Sequence, residues 1–166
     1  MTVKKVFILF AMLYLGIYVN AGENSDPIPK LNEKIIRFVN THVGKRVGDG
    51  QCWSLASAAL NAVNANWDHE YKFGREINPL KEPVFSGDII QFEDVTIKYR
   101  EKNTLQIERY SPQHTAIIYR VKDNGNYTIA HQNVNGVMEL MFSELHLNAV
   151  IRGTYKIFRP ELSNSQ

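Results

Sequence analysis

The chain has 166 residues, 44% hydrophobic and 22% charged. It can therefore bury one real core, is too short for two ordinary domains, and is not globally disordered. Its 19 basic residues outnumber the 17 acidic ones only because of Lys4 and Lys5 near the N-terminus; without those two the charges balance, and nothing electrostatic favours nucleic-acid binding.

Lys4 and Lys5 open a basic start, Val6 to Val19 is uncharged and almost wholly apolar, and Val19-Asn20-Ala21 places a small residue where a signal peptidase reads. The run is short of the ~20 apolar residues of a membrane-spanning helix. Residues 1–21 are thus expected to be a cleaved signal peptide, with no stable membrane anchor and a secreted or periplasmic product. Residues 22–29, polar and carrying Pro27 and Pro29, form a linker; residues 30–160 form the domain and 161–166 a tail.

Leu31, Ile35, Phe38, Val39 and His42 recur at helical spacing and predict an amphipathic helix over 30–42. Gly44, Gly48, Asp49 and Gly50 break it. A second helix starts near Gln51, with Leu55, Ala56, Ala59, Leu60 and Val63 as its apolar stripe, and ends among Asn64, Asn66 and Asp68. Residues 69–86 read as irregular. Ile89 to Glu93 follows the Ser86-Gly87-Asp88 turn as a strand, Thr96 to Ile107 reads as a polar hairpin or excursion, and Thr115 to Val121 as a central strand. The Asn124-Gly125 turn leads into strands over 127–132, 136–141 and 154–158. Helices followed by an antiparallel sheet make an α+β fold.

Cys52 is the one cysteine of the chain, so no internal disulfide is available, and in an exported protein it either pairs between chains or stays a free thiol. It falls at a helix start, where unpaired N–H groups and the helix dipole favour thiolate and can donate to an oxyanion. A cysteine acting only as a small apolar core residue would sit within the stripe. His114, heading the central strand, is the candidate base; His42, His69 and His146 read as structural or solvated. An imidazole base needs an orienting partner. His131 and Asn133, two residues apart on the next strand, share one face, Asn135 continues it, and Gln132 points the other way. A simple two-residue turn at Asn124-Gly125 would set Asn135 opposite His114 and His131 opposite Ile118; a bulge would bring His131 back instead. Asp88 reads as a turn residue. One Cys and two His could ligate zinc, but no CxxC or HExxH spacing is present, and no metal or cofactor is expected.

Gly50-Gln51-Cys52-Trp53-Ser54-Leu55 resembles the nucleophile helix of papain-like amidohydrolases. Ser86-Gly87-Asp88 with the strand after it looks like their "GD" strand, and His114-Thr115-Ala116-Ile117-Ile118 is similar to the histidine strand of CHAP domains. Ala130-His131-Gln132-Asn133 is similar to the stretch that follows, with His131 where CHAP members usually carry Glu, and Gly153 to Pro160 resembles the closing strand. Taken together over roughly residues 30–160, the chain resembles the NlpC/P60–CHAP superfamily. The resemblance implies a papain-like fold with N-terminal helices on an antiparallel sheet. It implies a cysteine amidohydrolase with catalytic Cys52, His114 and His131 supported by Gln51 and Asn133, acting through a thioester on a peptide or, in a bacterium, a peptidoglycan peptide. The sequence also resembles a eukaryotic branch of the fold, with a Gly-x-Cys-Trp helix, a loop like Gly74-Arg75 and a "QN" strand, as in a fungal actin-patch protein. That branch implies the alternative, a non-catalytic binding or interaction domain. N-terminal sequencing of exported protein tests the leader: the mature chain is expected to begin at Gly22, and a product retaining Met1 in the membrane fraction would mean an anchor.

Overall fold

In the computed structural model, residues 27–123 and 125–163 are described. The expected leader and most of the linker lie outside them. Helix α1 spans Lys30–His42 and buries Leu31, Ile35 and Val39, one residue per turn on the side facing the sheet. Val43 leaves helical geometry and Gly44 turns the chain with φ +70°. Helix α2 spans Cys52–Ala62 and buries Leu55, Ala56, Ala59 and Leu60. It stops short of the expected asparagines, and Asn64 follows in the left-handed region.

Short strands β1 (Ala65–Asn66) and β2 (Arg75–Ile77) interrupt the segment read as irregular. They are followed by β3 (Ile89–Glu101), β4 (Thr104–Asp123), β5 (Asn126–His131), β6 (Met141–His146), β7 (Val150–Arg159) and β8 (Glu161–Leu162). Six strands form one antiparallel sheet in the order β2-β7-β3-β4-β5-β6. Strands β1 and β8 pair separately, so Glu161 and Leu162, assigned to the tail from sequence, return to Ala65 and Asn66. The polar hairpin expected at 96–107 extends β3 and β4 beyond the core and closes at Lys102-Asn103, both with positive φ, in a tight two-residue turn.

One expected strand is displaced. Residues 136–140 form no strand; pairing with β5 begins at Met141. Asn135 and Gly136 both take positive φ in the turn closed by Val134 and Val137, and Leu140 exchanges backbone hydrogen bonds with Gly44 and Lys45 instead of with the sheet. The hydrophobic run was visible; its partner was not.

The two faces of the sheet have separate cores. Helices α1 and α2 pack over the face carrying Ile89, Ile117, Ala130 and Phe158. The other face carries Ile90, Phe92, Ile118, Ile129 and Ile157; among the described residues no α-helix covers it, and Val95, Ile97, Tyr110 and, from the single 3-10 turn Leu147–Ala149, Leu147 complete its burial. Asp88 joins these layers. Its carboxylate is fully buried and accepts from Asn32 Nδ2 of α1 at 2.7 Å, from the Phe85 N–H at 2.9 Å, and from Arg159 of β7 at 2.8 and 3.2 Å. Burial pushes its pKa up, and the Arg159 guanidinium opposes that shift. Gly87 is required beside it: a Cβ there would lie 2.6 Å from the Asn32 carbonyl oxygen, and its φ is +91°. Arg159→Met, which strands this buried charge, is expected to cost about 3–5 kcal/mol in urea denaturation. Arg75→Met, which removes the exposed pair with Glu82, should cost at most about 1 kcal/mol.

Candidate functional site

Cys52 is the first residue of α2 and is half-buried. The turn before it is shaped by Asp49, whose carboxylate accepts from the Gln51 N–H at 2.9 Å and the Ser54 hydroxyl at 2.5 Å. Those bonds, Ser54 first, hold the Asp49 carboxyl below its ordinary range. Residues 47–51 are tied to the end of β5. The fully buried Gln132 amide accepts from Val47 N–H at 2.7 Å and donates to the Val47 and Gln51 carbonyls, both at 3.1 Å, and Asn133 donates to Gln51 Oε1 at 2.6 Å. The two expected supporting residues, Gln51 and Asn133, therefore meet each other. The sequence reading set Gln132 aside because it points away from His131. That orientation is what carries it to the helix side, as the tether of the Cys52 loop. Asn133 does not stay on the face of His131, because its φ of +56° ends the strand.

His114 and His131 are brought together. Nε2 of His114 lies 3.1 Å from Nδ1 of His131, and Nε2 of His131 lies 2.8 Å from the Ser143 hydroxyl on β6. The rings of Phe92 and Tyr110, stacked on each other, lie beside His114, with centroids 6.3 and 5.0 Å away. Two irregularities in the β4–β5 ladder create this pairing. Asp123 faces Asn126 as a simple turn requires, but an extra β4 residue is inserted before Val121–Tyr127 and another before Ile118–Ile129. The ladder reaches Ile117–Ala130, so the next step sets His131 opposite Ala116, diagonal to His114 on one face. Asn135, the residue a regular ladder would have put there, turns away beyond the strand with φ +51°.

The expected pairing of Cys52 with His114 is not formed. His114 alternates with Thr115, so it shares a face with Ala116 and Ile118, pairs with Phe92, and packs among residues of the core that faces away from α1 and α2. Helix α2 lies over the other face, where β4 and β3 present Thr115 and Gln91, hydrogen-bonded to each other at 2.6 Å. Among the described residues the Cys52 thiol makes no hydrogen bond. The imidazole chain ends on Ser143, not on the thiol.

Burial lowers the pKa of His114 to about 4, and burial followed by the charge of His114 lowers that of His131 to about 3. Both rings are neutral at pH 7, and one proton occupies the contact between them. The linkage has a definite sign. An unfolded histidine takes its proton near 6.5, while the folded pair refuses it until near 4, so stability is greatest above pH 6.5 and falls as the pH drops from 6.5 towards 4. Urea midpoints at pH 7.5 and 4.5 measure the loss. The double variant His114→Phe with His131→Met should lose distinctly less.

Residues 29–164 match the AIM3/BBC1 Cysteine proteinase-fold domain. Altered inheritance of mitochondria protein 3 of Debaryomyces hansenii is 25% identical over 151 residues, covering 79% of this chain and 16% of that protein. The chain thus corresponds to a small part of that relative's length. Two solved structures of Ly7917 superpose with TM-scores of 0.47, for Ly7917 with the hydrolyzing product of MDP, and 0.46. They are 17% and 18% identical, covering 78% and 76% of this chain and 62% of each of theirs. That likeness is too slight to argue activity. The family match runs from the residue before α1 to the strand after β7, across the cysteine-headed helix and the whole antiparallel sheet, and the chain belongs to the AIM3/BBC1 cysteine proteinase-fold domain family.

Proposed function

We propose that this chain is a binding domain that keeps a papain-like cysteine-proteinase fold without using its thiol as a nucleophile. The observation that carries this reading is the separation of Cys52 from the imidazoles. His114 and His131 bond to one another and to Ser143, in a core that α2 does not enter. A thiol nucleophile needs its base within hydrogen-bonding reach or one water away. The relative in Debaryomyces hansenii supports the same reading more weakly, since there the matching part is a fraction of a much longer protein, as expected of a module. The leader-like start at Lys4 to Ala21 adds export, so the domain would meet its partner outside the cytoplasm.

A second reading is favoured by Cys52 at the head of α2 and by the order Cys52, His114, His131, Asn133, which resembles the NlpC/P60–CHAP branch. There the domain is a cysteine hydrolase: Cys52 attacks an amide carbonyl, His114 carries its proton to the leaving amine, and water releases the acyl group from the thioester. It requires His114 to leave its aromatic pocket and reach the helix side. Iodoacetamide distinguishes the two. For a binding domain, Cys52 in wild type and in His114→Ala should alkylate at rates within about twofold of each other at pH 7. A fall of roughly tenfold or more in His114→Ala, together with release of fragments from peptidoglycan peptides by wild type, would establish the hydrolase.

A further inference from the structure

Strand β6 ends the six-stranded sheet, so among the described residues one of its edges has no strand beside it. A cleft of about 530 Å³ runs along that edge. Ser143 and Glu144 both line it, although consecutive strand residues point to opposite faces, so the cleft follows the strand's border and is not confined to one face. Its other wall is the β3–β4 hairpin, which curls round until the Tyr99 ring lies 4.2 Å from that of His146 at the end of β6. The hairpin thus shelters the edge without pairing with it.

The charge along this slot is predominantly acidic. Glu101, Glu108 and Glu144 line it against Arg109. Glu144 is paired with Lys122 at 2.6 Å. Among the described residues neither Glu101 nor Glu108 has an ion-pair partner. Glu108 is instead held by two neutral hydroxyls, Tyr99 at 2.7 Å and Tyr110 at 3.1 Å. The hydrogen bond to Glu108 pushes the Tyr99 pKa up to about 12, and burial followed by the Glu108 charge pushes that of Tyr110 up as well. Both hydroxyls therefore stay protonated, and they fix the carboxylate without cancelling its charge.

We infer that the slot between β6 and the β3–β4 hairpin is the docking site of an extended, arginine- or lysine-bearing segment of a partner protein, which adds to β6 as a further strand and sets a cationic side chain against Glu108. Edge pairing supplies register and backbone hydrogen bonds, and pockets beside the edge select alternate side chains. The acidic lining selects basic segments and repels acidic ones. This inference rests on the binding-domain reading and gives it a partner of defined chemistry.

Fluorescence anisotropy of the full chain with a labelled octapeptide of alternating Arg and Thr tests it. The Arg peptide is expected to bind, and the same peptide with Glu in place of Arg is not. Glu101→Gln, at an exposed position, and Glu108→Gln, which leaves both tyrosine hydroxyls an acceptor, should each weaken binding, the pair of changes by roughly tenfold. An Arg peptide N-methylated at alternate residues, with its charge intact, should also lose affinity. Equal affinity for the double variant, equal affinity for the methylated peptide, or no binding of the Arg peptide at millimolar concentration would each overturn the assignment. Mass analysis of the peptide after incubation separates this from failure of the underlying reading. An intact, unbound peptide empties the slot and leaves the binding domain standing, whereas cleavage lost in Cys52→Ser would overturn the binding domain itself.

Discussion

The buried carboxylate of Asp88 is the constraint on which the layers depend. An isolated charge in a protein interior is costly, so it persists only where donors converge on it. Here they come from three separate parts of the chain: Asn32 on α1, the loop at Phe85, and Arg159 at the end of β7. Arg159 reaches further still, donating to the Pro83 carbonyl at 2.6 Å and lying 4.4 Å over the Phe85 ring. Satisfying one carboxylate thus fixes α1 against the start of β3 and the closing strand. Once α1 is fixed, Ile35 and Val39 define the space that α2 fills with Leu55, Ala59 and Leu60.

From that frame the position of Cys52 follows, and so does its isolation. Helix α2 sits on one face, and Gln132 locks the loop before it to the end of β5 on that side. Along β5 the next residue back, His131, must point to the other face, where His114 already lies against the stacked rings of Phe92 and Tyr110. Alternation within two strands therefore separates the thiol from the imidazoles as firmly as it joins the imidazoles to one another. The neutral histidine pair is then part of a core, and Ser143 extends its hydrogen bonding to the edge strand.

The two faces suit different work. The helix side carries a tethered loop and a half-buried thiol; the opposite side carries a curled hairpin, an open edge and fixed acidic groups. In a family named for its proteinase-like fold, the fold by itself does not decide the chemistry, which rests on the residues of the site.

Much of the architecture was legible in the residues. Apolar spacing placed α1 and the start of α2, residues 96–107 read as a polar hairpin or excursion, and β-forming runs marked the cores of β3, β4, β5 and β7, because these depend on periods of 3.6 and 2 within a single segment. The pairing of His131 with His114 was legible only as an alternative. It rests on two inserted residues in the β4–β5 ladder, and no local signal says where a strand will bulge. Three features belonged to the tertiary structure alone. Residues 136–140 lost their strand because Leu140 found its backbone partners at Gly44 and Lys45. Asp88, read as a turn residue, became a buried hub because Arg159 arrives from 71 residues away. Cys52 and His114, whose order resembles that of a catalytic pair, lie on opposite sides of the sheet because the face a strand residue occupies depends on which side of the sheet the helix packs, and sequence spacing carries no record of that side.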